Sequence, residues 1–183
     1  MGLTGWLEDW IRKTNSDHAT QRRSCVYWPA LQGYFPAAFL TQAGFVVVDP
    51  LPFPFSLPFA NRLFRWNLGN VVPSPFTAAA AITYDDTYYV RPAFAHHLSL
   101  HVHELVHVAQ YRHLGTKSFL RHYLRQVLRT GYRDAALERM AYDLQRRFEL
   151  EPVPFDILAE VSRQLSAATT AARPKTLRES SWH

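Results

Sequence analysis

The stretch Leu100-His101-Val102-His103-Glu104-Leu105-Val106-His107-Val108-Ala109-Gln110 decides how this chain is read. It contains H-E-x-x-H. Residues four apart share one face of a helix, so His103 and His107 can offer two imidazoles to one metal ion while Glu104 projects beside them. A zinc site with three protein ligands keeps a fourth position for water, and a neighbouring carboxylate can take that water's proton. His103 and His107 are therefore expected as metal ligands and Glu104 as general base. Val102, Leu105, Val106 and Ala109 supply apolar neighbours that would bury the helix on its other sides and hold it rigid. The helix is expected over about 94–113, with Gly115 as its stop.

Immediately upstream lies a hairpin. Ala81-Ile82-Thr83-Tyr84 and Thr87-Tyr88-Tyr89-Val90 are rich in β-formers and are separated by the turn pair Asp85-Asp86. Phe45 to Val48 reads as a further short strand. Downstream, a helix over 117–130 carries Phe119, Leu120, Tyr123, Leu124, Val127 and Leu128 on one face and the row Arg121, Arg125, Arg129 on the other. The arginine row is read as a solvated face, and nucleic acid is not expected as a partner. Gly131 breaks that helix, Asp134 is expected to cap the next, over Ala135 to Leu150, and a last helix spans about 156–170.

Two histidines are too few for a catalytic zinc site, and two residues compete for the third position. His113 stands where H-E-x-x-H-x-x-G-x-x-H would place its last histidine. Gln110, however, occupies the glycine position that lets the chain leave the helix and swing that histidine back. Gln110 should keep the helix going and turn His113 away. Glu138 is the stronger candidate, near the start of the helix after the helical hairpin. The small Ala141 one turn on would let that helix approach the metal helix closely.

Length and composition bound the rest. A chain of 183 residues, 48% hydrophobic and 14% aromatic, is expected to form one folded domain over 25–170. An N-terminal amphipathic helix with a polar linker precedes it (1–24), and a disordered tail follows (171–183). The helix, built on Leu3, Trp6, Leu7, Trp10 and Ile11, is read as packing on the domain, with weak contact to a membrane surface or partner as the alternative. The run Pro50-Leu51-Pro52-Phe53-Pro54-Phe55-Ser56-Leu57-Pro58-Phe59 must lie extended, covering the core or lining a cleft. Residues 61–80 give mixed signals. Cys25 is the only cysteine, so neither an intrachain disulfide nor a cysteine-based zinc site is available. Without a signal-peptide core or a long apolar run, a cytoplasmic, reducing setting is expected. The net charge of +5, mostly from arginine, specifies no partner.

The hairpin, Arg91-Pro92, the H-E-L-V-H-V-A-Q helix and the downstream Glu138 together resemble the gluzincin metallopeptidases, most closely their small minigluzincin-like group. They are also similar to a widespread bacterial domain of unknown function with an H-E-L-x-H-x-x-Q core. The resemblance covers about residues 60–150. It implies an α+β fold, with a small antiparallel sheet packed on a mainly helical core, and one zinc ion per chain held by His103, His107 and Glu138. It further implies hydrolysis of internal peptide bonds, with Glu104 as base and acid. A strand at the cleft edge, Thr87 to Val90 or Ile82 to Tyr84, would pair with an extended peptide or protein substrate. Tyr142, one turn after Glu138, and Tyr132 in the preceding loop are candidates to steady the oxyanion. His96, His97 and His101 are read as bystanders. The alternative from another class is a catalytically idle, zinc-stabilised scaffold or effector module. An intact Glu104 favours the enzyme, because a structural site needs no base beside its metal.

Overall fold

A computed structural model describes residues 2–54, 79–151 and 153–171. Its centre is a helix that water barely reaches. This helix, α3 (Leu98–Leu114), is buried at every position from His101 to Tyr111. Alternating apolar and polar residues along it leave no solvated face, so each polar side chain must find a partner in the protein or a ligand. Gly115, with φ of 75°, ends it in the backbone region that favours glycine. The first turn begins later than expected. Pro92–Phe94 form a short 3-10 turn in front of it, since Pro92 suits a first turn and cannot sit deeper.

Around α3 the other elements form a shell. Helix α1 (Leu3–Asp17) runs further than the apolar pattern suggested and buries Leu7, Ile11 and Thr14. It packs on α4 (Thr116–Thr130), and the Trp10 ring meets Tyr84 edge-on at 5.1 Å. The expectation that this helix packs on the domain therefore holds. Helix α2 (Ala37–Gln42) is short; α5 (Ala136–Leu150) and α6 (Ile157–Ala171) both lie against α3. Gly131, with φ of 83°, separates α4 from α5. Asp134 does not cap α5. Its N-cap, Ala135, offers no side-chain acceptor, and Gln126 of α4 instead takes the Leu137 N–H at 3.1 Å. That bond joins the two helices where Glu138 enters the core.

Among the described residues the sheet has four strands: β1 (Arg23–Ser24), β2 (Gly44–Val47), β3 (Ala81–Tyr84) and β4 (Thr87–Val90), in the order β1-β2-β4-β3. The hairpin falls where its β-rich runs placed it, with Asp85 at φ 61° in the turn. The sheet is mixed rather than purely antiparallel, because β2 joins β4 in parallel, Gly44 opposite Thr87 through Val47 opposite Val90. Single-strand patterns carry no information on the direction of a distant partner, so this pairing was invisible in the sequence. It puts β4 in the interior, fully buried, and leaves β3 at the edge. Thr87 to Val90 thus cannot be the substrate edge; Ile82 to Tyr84 remains.

Arg22 closes one end of the sheet, donating to Thr87 Oγ1 at 2.8 Å and to the carbonyl of Gln42. A Cβ on Gly44 would meet that guanidinium, so the arginine as placed lies directly over the glycine. Residues 50–54 of the proline-phenylalanine run cover the core: Leu51 is buried, and the Pro52 carbonyl accepts from the Tyr84 hydroxyl at 2.8 Å. Residues 55–59, the stretch 61–78 and the tail beyond 171 lie outside the described residues. No helix among the described residues is long and apolar enough to cross a membrane. The architecture is α+β, mainly helical, with its site at the contact of α3 and α5.

Candidate metal centre

His103 and His107 project from one face of α3, as the four-residue spacing requires, and Glu138 meets them from the first turn of α5. All three are buried. His103 Nε2 and His107 Nε2 are 3.2 Å apart; Glu138 Oε2 is 3.5 Å from the former and Oε1 is 3.5 Å from the latter. Two imidazoles and a carboxylate on so small a triangle form a group able to hold a metal ion. Ala141, fully buried one turn beyond Glu138, lets α5 approach α3 closely. The N-terminal end of α5 also carries the positive end of the helix dipole, which favours a carboxylate in its first turn.

The supporting contacts aim the donors. Gln110 Oε1 takes His107 Nδ1–H at 2.9 Å, leaving the His107 Nε2 lone pair pointing at the centre. Tyr123 of α4 donates to Glu138 Oε1 at 2.7 Å. Burial and then the Glu138 charge push the Tyr123 phenol well above its ordinary range, so it stays a donor. Among the described residues, Glu138 Oε2 and His103 Nδ1, both buried, have no hydrogen-bond partner within ordinary geometry. A buried carboxylate facing two imidazole nitrogens has acceptor capacity to spare, as a group able to hold a metal ion should.

The same capacity appears in the electrostatics. Burial favours neutral Glu138, but His107 and His103 outweigh it and hold the carboxyl far below the usual range. Burial likewise disfavours the His107 imidazolium, yet Glu138, with Glu104 and Gln110, outweighs it and raises His107 to about 9. Without metal, a proton on His107 stands in for the cation.

Glu104 is buried beside this group. Thr83 Oγ1 of β3 donates to Glu104 Oε2 at 2.5 Å, tying the carboxylate to the edge strand. The Tyr142 ring lies 4.5 Å from that of His103, half exposed, and Tyr132 sits near both Glu138 and Tyr142. Burial and then Glu138 raise both phenols, so both remain hydrogen-bond donors.

His113 does not join the group. The helix continues through Gln110 to Leu114, and His113 ends up exposed, lining a shallow groove with Phe39, Ala109 and Leu158. Arg121, Arg125 and Arg129 are exposed, as a solvated row should be. His96 and His97 are exposed as well. His101 is no idle bystander: it is buried, accepts from the Tyr88 hydroxyl at 2.6 Å through Nδ1 and donates to the Ala95 carbonyl at 2.9 Å through Nε2. Sequence reasoning missed Gln110, Tyr123 and Thr83 as supports. The Gln110 position was visible three residues after His107; the other two arise from tertiary packing.

The chain matches no protein-family model, no curated protein and no solved structure.

Proposed function

We propose that this chain is a zinc-dependent peptidase of gluzincin type, with His103, His107 and Glu138 as ligands and Glu104 as general base and acid. Ligand bonds of about 2.0–2.1 Å in tetrahedral geometry set donor atoms about 3.3 Å apart. The observed separations of 3.2, 3.5 and 3.5 Å suit such an ion. Two neutral imidazoles and one carboxylate also suit zinc better than calcium or magnesium, which prefer oxygen. When bound, zinc supplies Lewis acidity, lowering the pKa of a coordinated water to about 7 and polarising a carbonyl.

The observation that carries the reading is Glu104, a carboxylate fixed beside a three-donor group by its bond to Thr83. A purely structural site would gain nothing from an anion held there. Glu104 takes the proton of the attacking water and passes it to the leaving amine. Tyr142 and Tyr132, kept protonated, are the nearby phenols able to donate to the developing oxyanion.

Edge strand β3 supplies substrate orientation. Arg91 N–H donates to the Ala80 carbonyl at 3.0 Å, so the hydrogen-bonded pairs of the hairpin are 80–91, 82–89 and 84–87. The backbone groups of Ala81 and Thr83 consequently face away from β4, toward the side where no other described strand pairs. An extended peptide adding there would pair with the residue whose side chain holds the base. Backbone pairing and proton transfer are thus placed by one residue.

Peptide-library digestion read by mass spectrometry tests this. Wild type should cleave, a chelator should abolish cleavage, and Glu104→Gln should lose about 10²–10⁴-fold in rate while keeping its metal. Cleavage undiminished in Glu104→Gln would refute the mechanism.

A further inference from the structure

Gln110 is fully buried between the two ligand-bearing helices, and its amide is satisfied at both ends. Nε2 donates to the Leu137 carbonyl of α5 at 2.9 Å and approaches Met140 Sδ at 3.4 Å. Oε1 lies 2.9 Å from His107 Nδ1. These contacts admit one arrangement. A backbone carbonyl only accepts, so the amide nitrogen must face Leu137. The amide oxygen then faces His107, and because that oxygen also only accepts, His107 Nδ1 must carry the hydrogen. His107 Nε2 is thereby directed at His103 and Glu138, as a lone pair once no second proton sits on the ring.

We propose that Gln110 is a positioning residue: the Leu137 carbonyl fixes which way its amide points, and the amide oxygen so oriented holds His107 as the Nδ1–H tautomer. Leu137 directly precedes Glu138, so one amide fixes the ring on one helix against the backbone that carries the third donor on the other. His103 has no such partner among the described residues: its buried Nδ1 makes no hydrogen bond. The site therefore holds one imidazole oriented from behind by an amide and one whose outer nitrogen lacks that support. This inference rests on the metal-centre reading above.

Two substitutions separate relay from mere packing. Gln110→Met keeps volume and removes both bonds. Gln110→Glu keeps the acceptor for His107 Nδ1–H but sets a carboxylate oxygen against the Leu137 carbonyl. Zinc dissociation constants, from competition with a chromogenic chelator, are compared with melting of the metal-free chains. Gln110→Met should bind zinc about 10–100-fold more weakly. Gln110→Glu should hold zinc as tightly as wild type or more so, although its metal-free form melts lower. Equal weakening in both variants, or wild-type affinity in Gln110→Met, would overturn the relay. Wild type that takes up no zinc would instead sink the metal reading beneath it. Should a variant fail to fold, nitrogen-15 correlation spectra of zinc-loaded wild type decide: a proton on His107 Nδ1 supports the relay, and one on Nε2 refutes it.

Discussion

Helix α3 carries two buried histidine clusters built on opposite principles. Toward the sheet, His101 lies in a closed chain: Cys25 Sγ and the Tyr88 hydroxyl are 3.5 Å apart, Tyr88 donates to His101 Nδ1, and His101 Nε2–H reaches the Ala95 carbonyl. Burial followed by neighbouring His96 and His97 keeps His101 below its ordinary pKa, against the Ala95 bond, and burial pushes the Cys25 thiol up to about 11. Everything there is neutral and donors match acceptors. Toward α5, two imidazole nitrogens and a carboxylate converge, and among the described residues Glu138 Oε2 has no well-formed hydrogen bond, His103 Nε2 lying 3.5 Å away. The first arrangement is complete as protein and stabilises the fold. The second is a group that could hold a metal ion. What separates the two clusters is not burial, which both share, but the balance of donors and acceptors.

The sharpest break of this comparison is His107→Ala. It removes a donor from the open cluster and should weaken zinc binding by more than the roughly 10–100-fold expected of a supporting residue, as read by chelator competition. The closed cluster should answer oppositely. Tyr88→Phe strands His101 Nδ1 and should lower unfolding free energy by about 1–3 kcal/mol in denaturant titration, with zinc affinity unchanged. If Tyr88→Phe weakened zinc as His107→Ala does, the two clusters would not be independent. Tyr123→Phe, which frees Glu138 Oε1, should sit between, with zinc affinity falling about tenfold.

The smallest effect is on pH. In the metal-free chain the folded-state pKa of His107, about 9, lies above its ordinary 6.5, so its pairing with Glu138 stabilises fully below 6.5 and is lost as pH rises through 9. Glu138 is shifted the other way: its contribution is present above its ordinary 4.5 and fades only as pH falls toward its depressed folded value. Metal-free stability from this pair should therefore be highest between about 4.5 and 6.5 and decline toward 9. Zinc should abolish the alkaline decline, because it replaces the proton. Thermal melts across that range, with and without zinc, check both statements.

Much of this was legible in the sequence because it depends on local spacing. The histidine pair and its Glu104 follow from helical periodicity, the hairpin from two β-rich runs around Asp85-Asp86, and the helix ends from Gly115 and Gly131. Glu138 was reachable because its place after the helical hairpin and the small Ala141 both bear on how α5 meets α3. Three things were not legible. The parallel joining of β2 to β4 depends on a partner far along the chain. The capping of α5 by Gln126, where Asp134 was expected, depends on α4 crossing over its start. The closed network of His101 depends on Tyr88 and Cys25 meeting it from the sheet. Each is set by tertiary packing that no single segment encodes.

The His103, His107 and Glu138 group is proposed as a metal centre. Elemental analysis of tag-free protein after zinc is supplied, in parallel with Glu138→Ala, tests it most directly. About one zinc per wild-type chain is expected, since one group of three donors can hold one ion, and Glu138→Ala should lose it. Wild type that binds no metal, or a Glu138→Ala chain that keeps its zinc, would contradict the account.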